Sequence, residues 1–183
     1  MNTVTITDED RRSLGLWAAD CAERVLPLFE AKAPSDSRPR EAIEGIRVFA
    51  RDGKRTRQLR TLAVAALAAA REVGDPAATA AARAAGYAAA TPFIHPLATP
   101  HQAKHALGPA MYVALARELA AGDDTGVDAE ADADADVGDA EIRWAIEHAP
   151  PAVRGILRQL PVFSPGRSRL DGFRHQLDAA LRR

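Results

Sequence analysis

The sequence predicts an all-α protein: an alanine-rich antiparallel bundle of about five helices, with two or three short C-terminal helices docked on it. Three observations lead there. Apolar residues make up 47% of the 183 positions and charged residues 27%, enough to fill a core and too balanced for a disordered chain. Aromatics are only 5%, and alanine dominates the apolar set, which suits closely spaced helices better than sheets. Apolar positions also recur every three and four residues, the period of a buried helix face.

Thr7 and Asp10 form a variant of the capping box, in which a side-chain oxygen takes up an orphan N–H of the first turn. Behind it Leu14, Trp17, Ala18, Cys21, Val25, Leu28 and Phe29 make the stripe of a helix over 8–32, and Pro27 is expected to kink it near 23–27. Cys21 lies on that stripe and reads as a small core residue rather than a reactive thiol. Asp36 or Ser37, ahead of Pro39, caps a second helix that runs to Arg51 on Ala42, Ile43, Ile46, Phe49 and Ala50. Asp52-Gly53 ends it.

A third helix, over 55–73, carries Leu59, Leu62, Ala63, Ala66, Leu67, Ala70 and Val73 at helical spacing. Gly74-Asp75-Pro76 then supplies a C-terminal glycine, a new cap and a first-turn proline. Ten alanines occupy the fourteen positions 77–90, so the fourth helix belongs in the middle of the bundle. A large side chain at Ala84 or Ala88 would overpack it, at a cost on the order of 1–3 kcal/mol. Pro92 and Pro96 interrupt the chain, and Thr99-Pro100 opens a fifth helix on Leu107, Ala110, Met111, Ala114, Leu115 and Leu119, closed by Gly122.

The composition divides the chain into a bundle over 1–122, an acidic linker over 123–139 and a C-terminal appendage over 140–183. Nine acids fall between Asp123 and Glu141 with no Lys or Arg, and the alternation AEADADAD buries no large apolar residue, so the linker is expected to be disordered. The appendage reads as helices near 139–148, 150–160 and 167–181. So short a segment buries too little surface alone and should dock on the bundle.

Twenty-four Lys and Arg against 25 Asp and Glu give a net charge of -1, which argues against a dedicated nucleic-acid binder. A single cysteine excludes an internal disulfide and a cysteine zinc cluster. The polar start MNTVTITDEDRR has no apolar segment behind it, and the longest apolar run, AVAALAAA, is far shorter than the ~18 residues of a membrane span. A cytoplasmic protein without a membrane partner is expected. Alanine-rich helices pack equally within a chain or across a two-fold axis, so a homodimer stays open.

Two groups of residues could carry chemistry. His101 and His105 share a helix face at i, i+4, and His95 precedes them, a spacing that zinc sites use. No Asp, Glu or Cys lies from 91 to 117 to complete such a site, and hydrogen-bonded histidines framing a proline-rich turn are the plainer reading. The second group is the basic stretch 38–60, net +5, where Arg47, Arg51, Arg55 and Arg57 could meet phosphates or an acidic partner. The plainer reading is an arginine-rich surface facing the protein's own acidic linker. Asp20 with Glu23, and Glu41 with Glu44, have spacings that exposed helices generate constantly. No P-loop, GxGxxG after a strand or GxSxG elbow occurs, and no catalytic residue is assigned.

The runs LWAADCAERVLPLFE, DSRPREAIEGIRVFARDG, AARAAGYAAATPFIHPLA and HQAKHALGPAMYVALA resemble the small helical bacterial immunity proteins of the type-five-like class over about residues 12–121. Some similar chains carry the label exonuclease SbcC, an activity that the missing P-loop and coiled-coil heptads argue against. The resemblance implies a protein that binds and blocks a cognate toxin, with no catalytic residues. The first reading is therefore a non-catalytic binding module, its partner met by the basic residues named above or by Asp132, Asp134 and Asp136 of the acidic stretch. The alternatives are a metal-dependent enzyme using His95, His101 and His105, and a nucleic-acid-associated protein using the basic 38–60 face.

Overall fold

The computed structural model describes residues 3–124, 131–162, 164 and 166–183, and among them the chain is helical, with no named strand. The helices are α1 (Asp8–Glu23), α2 (Leu26–Lys32), α3 (Arg38–Asp52), α4 (Arg57–Glu72), α5 (Pro76–Ala90), α6 (Pro100–Asp124), α7 (Ala131–Glu147), α8 (Pro151–Gln159) and α9 (Arg169–Leu181), with a 3-10 turn over Thr91–Phe93. No helix of the described residues is long and apolar enough to cross a membrane.

Local chemistry sets most helix ends. Thr7 Oγ1 accepts from the Asp10 N–H at 3.0 Å while Asp10 Oδ2 accepts from the Thr7 N–H at 2.9 Å, closing the capping box. Ser168 and Asp171 build the same box on α9. Asp75 Oδ1 accepts from the Ala78 N–H at 2.8 Å to start α5. Gly53 closes α3 in the left-handed conformation, φ 71°, that a side chain would strain.

Pro27 does more than bend the first helix. Its ring and missing N–H divide the stretch into α1 and α2, with Pro27 in the first turn of the second. Gly122 does not stop α6, which continues to Asp124. Pro109 lies inside α6 and is buried there, with Ala106, Leu107, Ala110 and Met111 buried around it. One lost hydrogen bond is outweighed by that burial.

α5 touches α1, α2, α3, α4 and α6, and ten of its residues are buried, nine of them alanine. Such small side chains let five neighbours approach one rod. Gly86 gives α4 the same access: a Cβ there would stand 2.7 Å from Leu67 Cγ and 3.2 Å from the Ala63 carbonyl oxygen.

Of the stretch expected as linker, residues 125–130 lie outside the described residues, Asp123 and Asp124 belong to α6, and 131–139 belong to α7. α7 packs on α6, and its Ala145 carbonyl accepts from Trp17 Nε1 at 3.0 Å. Buried Glu141 on α7 receives a two-point hydrogen bond from Arg24, at 2.6 and 3.2 Å, and lies 3.3 Å from Arg117 Nε on α6. The Arg24 guanidinium also covers the Trp144 ring at 4.2 Å. α8 packs against α1, and α9 against α6, α7 and α8, so both share the bundle's core through Val153, Ile156, Leu157, Phe173, Leu177 and Leu181.

Candidate partner-binding face

The outward stripe of α5 carries the two largest side chains of that helix. Thr79, Arg83, Tyr87 and Ala90 recur at helical spacing and are the partly exposed positions of an otherwise buried run. Arg83 and Tyr87 stand four residues apart, so they lie one above the other.

Tyr87 meets an aromatic and histidine row on α6. Its ring lies 5.2 Å from the Tyr112 ring and 5.9 Å from the His105 ring, both tilted, and His105 meets His101 edge to face at 4.5 Å. Gly108 makes the approach possible, since a Cβ there would stand 2.5 Å from Tyr87 Cδ1. Arg83 lies over the Tyr112 ring at 5.7 Å, and Arg60 on α4 lies over Phe93 at 4.6 Å. Two cavities open on this face: one of about 290 Å³ lined by Phe93, His95, His101, Gln102 and His105, and one of about 330 Å³ lined by Leu67, Arg71, Arg83, Tyr87 and Tyr112.

The proline-rich loop that carries His95 is pinned from three sides. The Arg11 guanidinium, buried at 5% exposure, donates to the Pro92 and Ile94 carbonyls at 3.0 and 2.7 Å. Burial, and then Arg55, hold Arg11 below the ordinary guanidinium range. Gln102 Oε1 accepts from the His95 N–H at 3.1 Å, and Thr3 forms an antiparallel bridge with Leu97.

Burial first, and then the charges of His101, Lys104 and His95, lower the His105 pKa and favour its neutral form. Burial and the Tyr112 phenol raise the Tyr87 pKa, so it stays a neutral hydroxyl.

The residues expected to bind a partner fare differently. Arg47 is engaged by Asp20 at 3.0 Å and by Glu23, which makes these three an intramolecular cluster. Arg51 and Arg55 keep exposed side chains with distant pairings, 3.9 Å to Asp52 and 3.9 Å to Asp8. Arg57 is exposed at the start of α4, on the same helix as Arg60. The side chains of Asp132, Asp134 and Asp136 lie outside the described residues.

Among the expected metal ligands, His101 and His105 meet, with Nε2 atoms 2.9 Å apart, and His95 lines the same cavity. No group of three His, Cys, Asp or Glu residues converges on a metal position among the described residues. Cys21 is 1% exposed, and burial pushes its thiol far above the ordinary range, so it is an inert core residue.

Sequence reasoning passed over Tyr87, Tyr112 and Arg83, and took in Arg60 only as the end of the basic stretch 38–60. A signal existed. Residues 53–117 hold eight Lys and Arg but only two acids, Glu72 and Asp75, and both acids pair with cations outside that stretch, Arg38 and Lys32. Among the described residues Arg57, Arg60, Arg83 and Lys104 have no carboxylate ion-pair partner.

Neither a curated protein sequence nor a solved structure matches the chain. The family model described as Imm-5 like putative immunity protein matches residues 4–152, which takes in the bundle, α7 and the first two residues of α8. The α4–α6 face lies wholly inside that match, and the chain belongs to the Imm-5 like putative immunity protein family.

Proposed function

We propose that this chain is a non-catalytic immunity protein that binds a toxin through the α4–α6 face and blocks it by covering the surface the toxin needs. The observation that carries the reading is the joining of Tyr87, Tyr112 and Phe93 with Arg60 and Arg83, which have no carboxylate ion-pair partner among the described residues. Tyrosine and arginine dominate binding energy at protein interfaces, because each presents a large, stiff contact area with a polar end. Here the rings are already held by one another, by Gly108 and by the alanine floor of α5. Little side-chain freedom is left to lose on docking.

Charge specifies the partner further. A face with cations at Arg57, Arg60, Arg83 and Lys104 matches an acidic protein surface and speeds encounter with it. The family supplies the immunity role, and the overall charge of -1 weighs for an acidic protein over a nucleic acid.

The test is co-expression with a candidate toxin, sought among the genes beside this chain's own. The wild-type chain restores growth, and Arg83→Glu and Tyr87→Ala, each with unchanged helical circular dichroism, lose protection. Binding of the purified pair weakens from low to high salt. Failure of the wild-type chain to protect, or full protection by both variants, overturns the reading.

A further inference from the structure

We propose that His101 and His105 form a chelating site for a divalent transition ion that prefers tetragonal coordination, Cu²⁺ or Ni²⁺. The two side chains rise from consecutive turns of α6, and their Nε2 atoms approach to 2.9 Å. Without an ion, one Nε2–H donates to the other Nε2. An ion can take that position once the donor ring carries its proton on Nδ1 instead, which leaves both Nε2 lone pairs free to bind it.

Donor type favours the ion, because imidazole nitrogens suit Cu²⁺ and Ni²⁺ and affinity along the series peaks at Cu²⁺. With metal–nitrogen bonds of about 2.0–2.1 Å, a tetrahedral centre would hold its two nitrogens about 3.3 Å apart. A separation of 2.9 Å instead corresponds to an N–metal–N angle of about 90°, that of adjacent corners in a square-planar or octahedral shell.

The surroundings suit this site. His101 is exposed, and His105 is half-buried against the Tyr87 ring, which limits its rotation. The adjoining cavity of about 290 Å³ leaves room for the remaining ligands, with His95 on its wall. No carboxylate lies between residues 91 and 117, so a carboxylate ligand would have to come from outside that stretch.

The experiment is titration of the untagged full chain with CuCl₂, followed by calorimetry and by the nitrogen hyperfine pattern of bound Cu²⁺. One equivalent binds, with imidazole nitrogen coupling. His101→Ala, an exposed position, loses the chelate and weakens binding at least about tenfold. His175→Ala, an exposed histidine on α9, leaves it unchanged. Absence of saturable binding, or equal affinity in His101→Ala and the wild type, overturns the proposal. No toxin enters this readout, so its outcome is independent of the immunity reading.

Discussion

Two glycines, Gly86 in α5 and Gly172 in α9, allow the packing of the central helix to be measured by one substitution made twice. Replacing an interior helix glycine by alanine favours the helix by about 1 kcal/mol at either position. At Gly172 a new Cβ meets nothing within 4 Å, so that gain appears undiminished. The expected result is a rise in Tm of roughly 2–4 °C for a chain of this size. At Gly86 the Cβ would stand 2.7 Å from Leu67 Cγ, 2.8 Å from Leu67 Cδ2 and 3.2 Å from the Ala63 carbonyl oxygen. Leu67 must leave its rotamer or α4 and α5 must shift apart, since the backbone oxygen cannot swing aside, at a cost of about 1–3 kcal/mol. The net change at Gly86 is a loss of about 0–2 kcal/mol, or up to roughly 8 °C. Because the helix preference cancels between the two variants, the gap between them reports the overpacking term alone. Thermal unfolding followed by circular dichroism measures both. A Gly86→Ala protein at least as stable as Gly172→Ala would refute the claim that α4 and α5 are in contact there.

Two further outcomes follow from the ion pairs. Glu141→Ala leaves Arg24 and Arg117 facing each other without their shared carboxylate, and urea unfolding should show a loss of about 3 kcal/mol, the low end for a broken buried pair because both arginines are about one-third exposed. The second concerns acid. The N-cap bond from Ala78, and then Lys32, hold the Asp75 carboxyl below its usual range, so it stabilises the fold above the unfolded carboxylate value of about 4 and loses that contribution as pH falls through its lower folded value. Asp75→Ala should therefore cost about 1 kcal/mol at neutral pH, and its Tm should converge on that of the wild type in acid. A gap that persists in acid would show that the carboxylate is not the stabilising form.

The elements read most directly from sequence are those whose cause lies within a few residues. Thr7 with Asp10, Gly53, and Gly74-Asp75-Pro76 each satisfy or free a backbone group next to them, and each stands where it was expected. Gly122 shows the limit of that logic. A glycine after the last apolar position was expected to close the helix, yet α6 continues to Asp124, and α7 packs along it, a partner the sequence does not display. Charge misleads for a related reason. Counting basic residues in 38–60 credits Arg47 to a binding face, although Asp20 and Glu23 engage it from α1, more than twenty residues away.

The candidate face was hidden by the same non-locality, although its cause is visible in α5. A helix built almost wholly of alanine can be surrounded, and whatever is not alanine must find the one open side. In PAATAAARAAGYAAA the two bulky residues, Arg83 and Tyr87, share that side by their spacing of four. The features that make α5 a good centre therefore also present its only large polar and aromatic groups to a partner. Gly108 on α6 completes the arrangement, since without its bare backbone the Tyr87 ring could not lie against α6. Core and face are two consequences of one pattern. A substitution that enlarges the floor of α5 should then weaken partner binding as well as stability, even when it touches none of the exposed residues.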